Sequence, residues 1–91
     1  MAQIIVTMKI MPEDPEVDLT KVKEEAEKMI NLFGGKVGKA DEEPIAFGLK
    51  AVVLMFVMNE SIGSTDSLED QVRNLDGVNS VEITDVRRAI G

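Results

Sequence analysis

Hydrophobic residues follow two different spacings in the first third of the chain. From Gln3 to Met11 the even-numbered positions, Ile4, Val6, Met8 and Ile10, are all apolar, and this alternation predicts a strand with one buried face. From Leu19 to Phe33 apolar residues recur mostly every three or four positions, which predicts an amphipathic helix. Asp18 stands where an N-cap residue belongs, and Gly34-Gly35 stands where a helix ends.

The rest of the chain contains two further strand patterns, a short helix pattern and a last strand. Lys36–Glu43 is polar enough to be an edge strand, whereas Leu49–Met58 is apolar at odd and even positions beyond Lys50. A short helical stripe runs from Leu68 to Leu75, and Val78–Val86 predicts the last strand.

The order strand, helix, strand, strand, helix, strand predicts an α+β fold of the ferredoxin-like βαββαβ type. In that fold a four-stranded antiparallel sheet carries both helices on one face. We expect the strand order 4-1-3-2, with Gln3–Met11 and Leu49–Met58 in the centre. The length of 91 residues predicts one domain, over residues 1–91.

The third strand raises a question about the face of the sheet that carries no helix. Since that strand is apolar at both parities, one of its two sets of side chains must point away from the helices. The pattern leaves open whether this is Val53, Met55 and Val57 or the even-numbered set. Apolar side chains left in solvent mark an interaction surface.

Composition argues against nucleic-acid binding. Seventeen acidic and ten basic residues give a net charge of −7, the opposite of what a phosphate-backbone binder needs. The chain also has no Trp or Tyr and only three Phe, too few for a base-stacking platform. Two compatible interpretations of the acidity remain: it keeps the protein soluble, or it steers the protein toward a basic protein partner.

The residue inventory also argues against covalent chemistry. Without histidine there is no Ser–His pair, and without cysteine there is no thiolate nucleophile or ligand. No GxxxxGK[ST] loop is present, so we do not expect the chain itself to bind GTP. Three consecutive acids at 41–43 cannot all reach one ion from an extended segment, and we expect no metal or other cofactor. The lack of a leader or long apolar run predicts a cytoplasmic protein with no membrane partner.

A short turn holds the main candidate contact residue. Phe47 lies between Ala46 and Gly48, which leave its ring without bulky cover from either neighbour. Two interpretations are open: a core phenylalanine at a strand start, or an exposed wedge that enters a partner's pocket. Arg87 and Arg88 are likewise either a solvated end or bidentate contacts to partner carboxylates.

The segment Pro44-Ile45-Ala46-Phe47-Gly48-Leu49-Lys50 resembles the archaeal translation elongation factor 1-beta family, and more distantly the catalytic C-terminal domain of its eukaryotic counterparts. The start of the chain, Ile4–Asp18, and its end, Val78–Arg88, are similar to the same family. The resemblance therefore covers essentially the whole chain.

This resemblance implies a guanine-nucleotide exchange factor that promotes GDP release from elongation factor 1-alpha, without covalent chemistry. This function allows a monomer, and we expect the free chain to be one. It implies that Phe47 pushes into the partner near its nucleotide site. The expected partner-binding residues are Pro44, Ile45, Phe47, Lys50, Arg87 and Arg88.

One feature departs from part of the family. Eukaryotic relatives present a lysine close to the C-terminus, toward the partner's Mg²⁺ site, whereas no lysine follows Lys50 here. We expect Arg87 and Arg88 to take a weaker version of that role by pairing with acids on the partner.

The alternative is a small ferredoxin-like regulatory or ligand-binding domain that acts through self-association. The segment 75–83 is of a type common in such folds, where the fold does not fix the function. This alternative predicts a dimer through a sheet edge or sheet face, so the oligomeric state separates the two hypotheses.

Overall fold

Residues 2–89, the part of the chain that the computed structural model describes, contain four strands and two α-helices. The elements are β1 (Gln3–Pro12), α1 (Leu19–Phe33), β2 (Lys36–Pro44), β3 (Lys50–Asn59), α2 (Asp66–Arg73) and β4 (Val78–Arg88). A 3₁₀ turn, Glu60–Ile62, follows β3. The predicted bounds of α1 are confirmed, and β4 runs two residues further than its predicted end at Val86.

The four strands form one antiparallel sheet in the order β2-β3-β1-β4. Read from the other edge, this is the predicted order 4-1-3-2, with β1 and β3 in the centre. The βαββαβ pattern and the ferredoxin-like α+β class are therefore confirmed. Because neighbouring strands are antiparallel, the β2–β3 connection and the C-terminal end of β4 lie at opposite ends of the sheet.

The core lies between the sheet and the two helices. The buried side chains are Val6, Met8 and Ile10 of β1; Val22, Ala26 and Ile30 of α1; Val52, Leu54, Phe56 and Met58 of β3; Leu68 and Val72 of α2; and Val78 and Val81 of β4. Fully burying a side chain of the size of Val, Leu or Phe contributes about 1.5–3 kcal/mol. The even-numbered residues of β3 thus face the helices, and Val53, Met55 and Val57 belong to the other face.

Both ends of α1 are capped as its sequence predicts. The Asp18 carboxylate accepts hydrogen bonds from the backbone N–H groups of Thr20 and Lys21, at 3.1 and 3.3 Å. At the other end Gly34 adopts a left-handed backbone with φ 111° and donates its N–H to the carbonyls of Ile30 and Asn31. These caps satisfy backbone groups that have no partner inside the helix.

A bulge in β4 sets which of its side chains face the core. Ile83 pairs with Met8, and Asp85 pairs with Thr7, so Thr84 is an extra residue between two consecutive pairs. The hydroxyl of Thr84 lies 3.5 Å from the carbonyl of Thr7, to which it donates. Ile83 packs on the helix side, as predicted, and beyond the bulge Asp85 lies on the other face.

Candidate partner-binding site

A tight loop joins β2 to β3 and presents the residues that the sequence singled out. The backbone N–H of Ile45 donates to the carbonyl of Leu49 at 2.8 Å, and the N–H of Leu49 donates to the carbonyl of Ala46 at 3.0 Å. These two bonds close the loop on itself. Its conformation is therefore fixed by its own backbone and by the β2–β3 ladder that ends at Pro44 and Lys50.

Phe47 stands at the tip of this loop with its side chain in solvent. The residue is 94% exposed, so the core interpretation is wrong and the ring is an exposed apolar group. Its φ of 58° is the only positive value at a non-glycine position in the described chain, and Gly48 follows with φ 77°. Two successive positive φ values are typical of a type I′ turn, and the first costs a residue with a Cβ about 1–2 kcal/mol.

Three more of the predicted contact residues surround the tip. Pro44 and Lys50 face each other as the last pair of the ladder, and both are exposed. Ile45, the first residue of the loop, is 38% exposed. The hairpin thus carries four of the six predicted contact residues on one short, closed loop and its two supporting positions.

Arg87 and Arg88 lie at the other end of the sheet. Arg87 pairs across β1 with Ile5, which pairs with Val57 of β3, seven residues along that strand from Lys50. At about 3.3 Å per residue this places them roughly 23 Å from the hairpin. The two arginines also lie on opposite faces of the sheet. Arg88 pairs with Ile4 on the helix side, whereas Arg87 pairs with Ile5 on the other face.

Each arginine has an acidic partner within the chain. The Arg87 Nε lies 2.8 Å from an Asp85 carboxylate oxygen, and the Arg88 Nη2 lies 3.2 Å from Glu60 Oε1. Both guanidinium groups are more than two-thirds exposed, so these pairs contribute only about 0–1 kcal/mol each. The arrangement leaves both arginines able to exchange these acids for acids of a partner.

An open cleft of about 360 Å³ lies beside the hairpin. It separates the loop before α1 from the β2–β3 hairpin, and its walls include Asp14, Asp18 and Glu42 together with Lys50. Among the charged side chains of the cleft, acidic groups therefore outnumber basic ones. Within residues 2–89 no set of three His, Cys, Asp or Glu side chains is arranged to hold a metal ion.

The structure also exposes apolar residues that the sequence analysis did not single out. Leu32 on α1 is 89% exposed, and Val86 near the end of β4 is 56% exposed. Leu32 falls outside the helical stripe, which is the sequence signal that could have found it. Val86 pairs with Val6 on the helix side of the sheet, but it does not belong to the core cluster. In the described chain no helix is both long and apolar enough to cross a membrane.

Comparison with known proteins places the chain in a family. Residues 5–89 match the sequence profile of a family described as "EF-1 guanine nucleotide exchange domain". The elongation factor 1-beta of Methanothermobacter thermautotrophicus is 43% identical over 88 residues, covering 97% of this chain and 98% of the relative. That of Staphylothermus marinus is 43% identical over 89 residues, with the same coverage. That of Archaeoglobus fulgidus is 40% identical over 86 residues, covering 94% and 97%.

A solved structure agrees with the fold. The ACT domain from the GTP pyrophosphokinase of Chlorobium tepidum superposes with a TM-score of 0.61 over 89% of this chain and 97% of that one. At 18% identity the likeness shows the shared ferredoxin-like fold and leaves the regulatory alternative untested. The profile match over 5–89 and the archaeal relatives confirm the resemblance first noted in the segment Pro44–Lys50. The chain belongs to the elongation factor 1-beta family and carries its guanine nucleotide exchange domain.

Proposed function

We propose that this protein binds elongation factor 1-alpha and speeds the release of GDP from it, so that GTP can take its place. The single observation that carries the proposal is the exposed ring of Phe47, held on a closed loop in a chain that contains an exchange domain. The proposed place of action is the cytoplasm, where translation takes place.

Exchange of this kind needs no catalytic group. If a protein binds the nucleotide-free partner better than the nucleotide-bound partner, the nucleotide must be weakened by the same factor. In GTPases a Mg²⁺ ion bridges the phosphate oxygens, so groups that disturb the metal or the phosphates speed nucleotide release. The proposed activity therefore makes and breaks no covalent bond, and the protein is an exchange factor rather than an enzyme in the strict sense.

The hairpin supports this role through its rigidity. Aromatic residues that anchor an interface each contribute 2 kcal/mol or more, provided that they enter a well-packed pocket. The bonds that close the loop order the backbone around Phe47 before the partner arrives, which reduces the backbone entropy lost on binding. Ile45 extends the apolar surface at the tip, and Lys50 is positioned as a polar rim contact.

The two arginines form a separate and weaker part of the proposed contact. A standard interface covers about 800 Å² on each partner, a patch roughly 30 Å across, so one partner can reach both ends of the sheet. Arg87 and Arg88 would exchange Asp85 and Glu60 for acids of elongation factor 1-alpha. The net charge of −7 would meanwhile steer the chain toward basic surface on that partner.

The direct test measures the release of fluorescent GDP from purified elongation factor 1-alpha, with and without this chain. We expect faster release in its presence and a loss of that acceleration in Phe47→Ala. Leu32→Ala is the matched control, because Leu32 is equally exposed but lies on α1, away from the hairpin. GDP release that stays unchanged when the wild-type chain is added would contradict the proposal.

A further inference from the structure

The sheet face that carries no helix, here called the open face, has an ordered arrangement of side chains. Cross-strand pairing places its residues in rows that run from β2 to β4. The rows are Lys36–Val57–Ile5–Arg87, Lys39–Met55–Thr7–Asp85 and Asp41–Val53–Lys9–Glu82, with Glu43 at the start of the next row toward the hairpin. The central strands thus contribute most of the apolar residues, and the edge strands contribute most of the charges.

The open face is electrically neutral in a strongly acidic chain. It holds four basic and four acidic side chains, Lys9, Lys36, Lys39, Arg87, Asp41, Glu43, Glu82 and Asp85. The net charge of −7 therefore resides entirely on the remaining surface. Two copies of the chain repel each other through their net charge, and contact through this face brings together the least like charge.

The charges on the open face are also separated along the strands. Basic groups, Lys36, Lys39 and Arg87, occupy the end distant from the hairpin. Acidic groups, Asp41, Glu43 and Glu82, occupy the end near the hairpin. Three ion pairs within the chain, Lys9–Glu43, Lys39–Asp41 and Arg87–Asp85, moderate this separation but do not remove it.

Between the charged edges lies an apolar strip. Ile5, Val53, Met55 and Val57 are each partly exposed, although no helix covers them. Since no helix covers this face, we attribute the partial burial of the strip to neighbouring side chains of the sheet, whose long basic residues can lay methylene stems on apolar surface. Methionine adapts its shape to a facing surface, and Met55 lies in the middle of the strip.

We propose that the open face is a self-association surface on which two copies of this chain stack about a two-fold axis, with their strands antiparallel. In such an isologous contact the same patch is used twice. The basic end of each copy then lies over the acidic end of the other, and the two apolar strips meet in the middle. We assign a second copy of the chain to this surface because the two-fold rotation brings the basic end of one face onto the acidic end of the other.

The size of the face sets the strength of the association. Four strands about 4.8 Å apart and four rows about 6.6 Å apart give roughly 500 Å² per copy, or about 1,000 Å² in total. This is the lower limit for a specific interface, so the dimer is weak and reversible. The loop 45–49 lies beyond the last row, so the dimer leaves the hairpin free, and of the proposed partner contacts only Arg87 lies on this face. A dimer of this kind departs from the monomer expected above, but it does not by itself favour the regulatory alternative, since the hairpin stays accessible.

Sedimentation equilibrium over a range of protein concentrations tests the proposal, with two charge-reversal variants. Lys36→Glu/Lys39→Glu makes both ends of the face acidic, and Asp41→Lys/Glu43→Lys makes both ends basic. We expect each variant alone to raise the dimer dissociation constant at least tenfold. Mixing the two variants should restore association as a heterodimer, because a face with net acidic charge at both ends then meets a face with net basic charge at both ends.

A control separates face complementarity from general repulsion. Lys21→Glu/Lys28→Glu changes the net charge by the same amount as Lys36→Glu/Lys39→Glu, but on the exposed side of α1. This control should dimerise nearly as well as the wild type, and far-UV circular dichroism checks that every variant is folded. A wild-type chain that stays monomeric at every concentration, or two variants that do not associate when mixed, overturns the proposal. Loss of elongation factor 1-alpha binding in the same variants would then assign the face to that partner.

Discussion

The two ends of the sheet present contact groups in opposite physical states. At the hairpin, Phe47 is an apolar ring in water, on a backbone that is closed by its own hydrogen bonds and strained at φ 58°. At the other end, Arg87 and Arg88 are flexible cations that already have acidic neighbours. The hairpin therefore has no favourable contact to lose on binding, whereas each arginine must give up an ion pair before it gains another.

This difference predicts an unequal division of binding energy. A ring that leaves water for a partner's pocket gains its full burial energy, and its entropy cost is already reduced by the rigid loop. An exposed ion pair that is exchanged for another contributes about 0–1 kcal/mol, unless the new pair is desolvated in the interface. Four measurements test this unequal division.

The largest effect separates an exposed phenylalanine from a buried one. Phe56→Ala removes a fully buried ring of β3 from the core, and we expect it to lower the free energy of unfolding by about 3–5 kcal/mol. Phe47→Ala removes a ring that is 94% exposed and should change the free energy of unfolding by no more than about 0.5 kcal/mol. Urea denaturation of both variants gives the comparison. Equal destabilisation would mean that the Phe47 ring packs on the protein.

The next effect concerns partner binding at the hairpin. Phe47→Ala should weaken the binding of nucleotide-free elongation factor 1-alpha by about 2 kcal/mol or more, because the anchor of the interface is lost. Isothermal titration calorimetry measures this change. Leu32→Ala, the other strongly exposed apolar side chain, should bind like the wild type. Similar losses in both variants would show that the hairpin is not a special contact.

A smaller effect tests whether the loop conformation matters by itself. Gly48 has φ 77°, and a Cβ added to it would meet open space. Gly48→Ala should therefore cost about 1 kcal/mol of stability through backbone strain alone. Gly38→Ala is the matched control, because it also has open space but no positive φ. Thermal denaturation should show a lower midpoint for the first variant only. Equal midpoints for the two variants would show that the positive φ at residue 48 causes no measurable backbone strain.

The smallest effect is expected at the arginine end. Replacing both Arg87 and Arg88 by Ala should cost at most about 1 kcal/mol per pair in stability and should slow GDP release less than Phe47→Ala does. The exchange assay is repeated over a range of Mg²⁺ concentrations, since the proposed role acts against the partner's metal. If the double variant matches the wild type at every Mg²⁺ concentration, the two arginines are only a solvated end.

The sequence predicted the fold in detail where local signals agreed. The Asp18 cap, the helical stripe and the Gly34 stop all indicate the same helix, and its bounds are those of the structure. The bulge at Thr84 was not predicted, because an extra residue in a strand keeps the composition of a strand and changes only its pairing. Beyond the bulge the parity of β4 is reversed, so Val86 pairs with Val6 on the helix side of the sheet, although it stays more than half exposed.

The candidate site was predicted only in part. Single residues around Phe47 allowed a buried or an exposed ring, and only the backbone of the loop decides between them. Arg87 and Arg88 were predicted to contact the same partner as the hairpin residues, but they lie at the other end of the sheet. The predicted strand order already contained this information, since the end of β4 must lie beside the start of β1.

The same strand order has a consequence for how the chain acquires its structure. β2 and β3 are neighbours in sequence and can pair early, but β1 must pair on one side with β4, and the Thr84–Thr7 contact joins residues 77 positions apart. Contacts of such long sequence separation form slowly, because a large loop must close first. During synthesis on the ribosome, the first strand to emerge therefore keeps one edge unpaired until the last strand has been made.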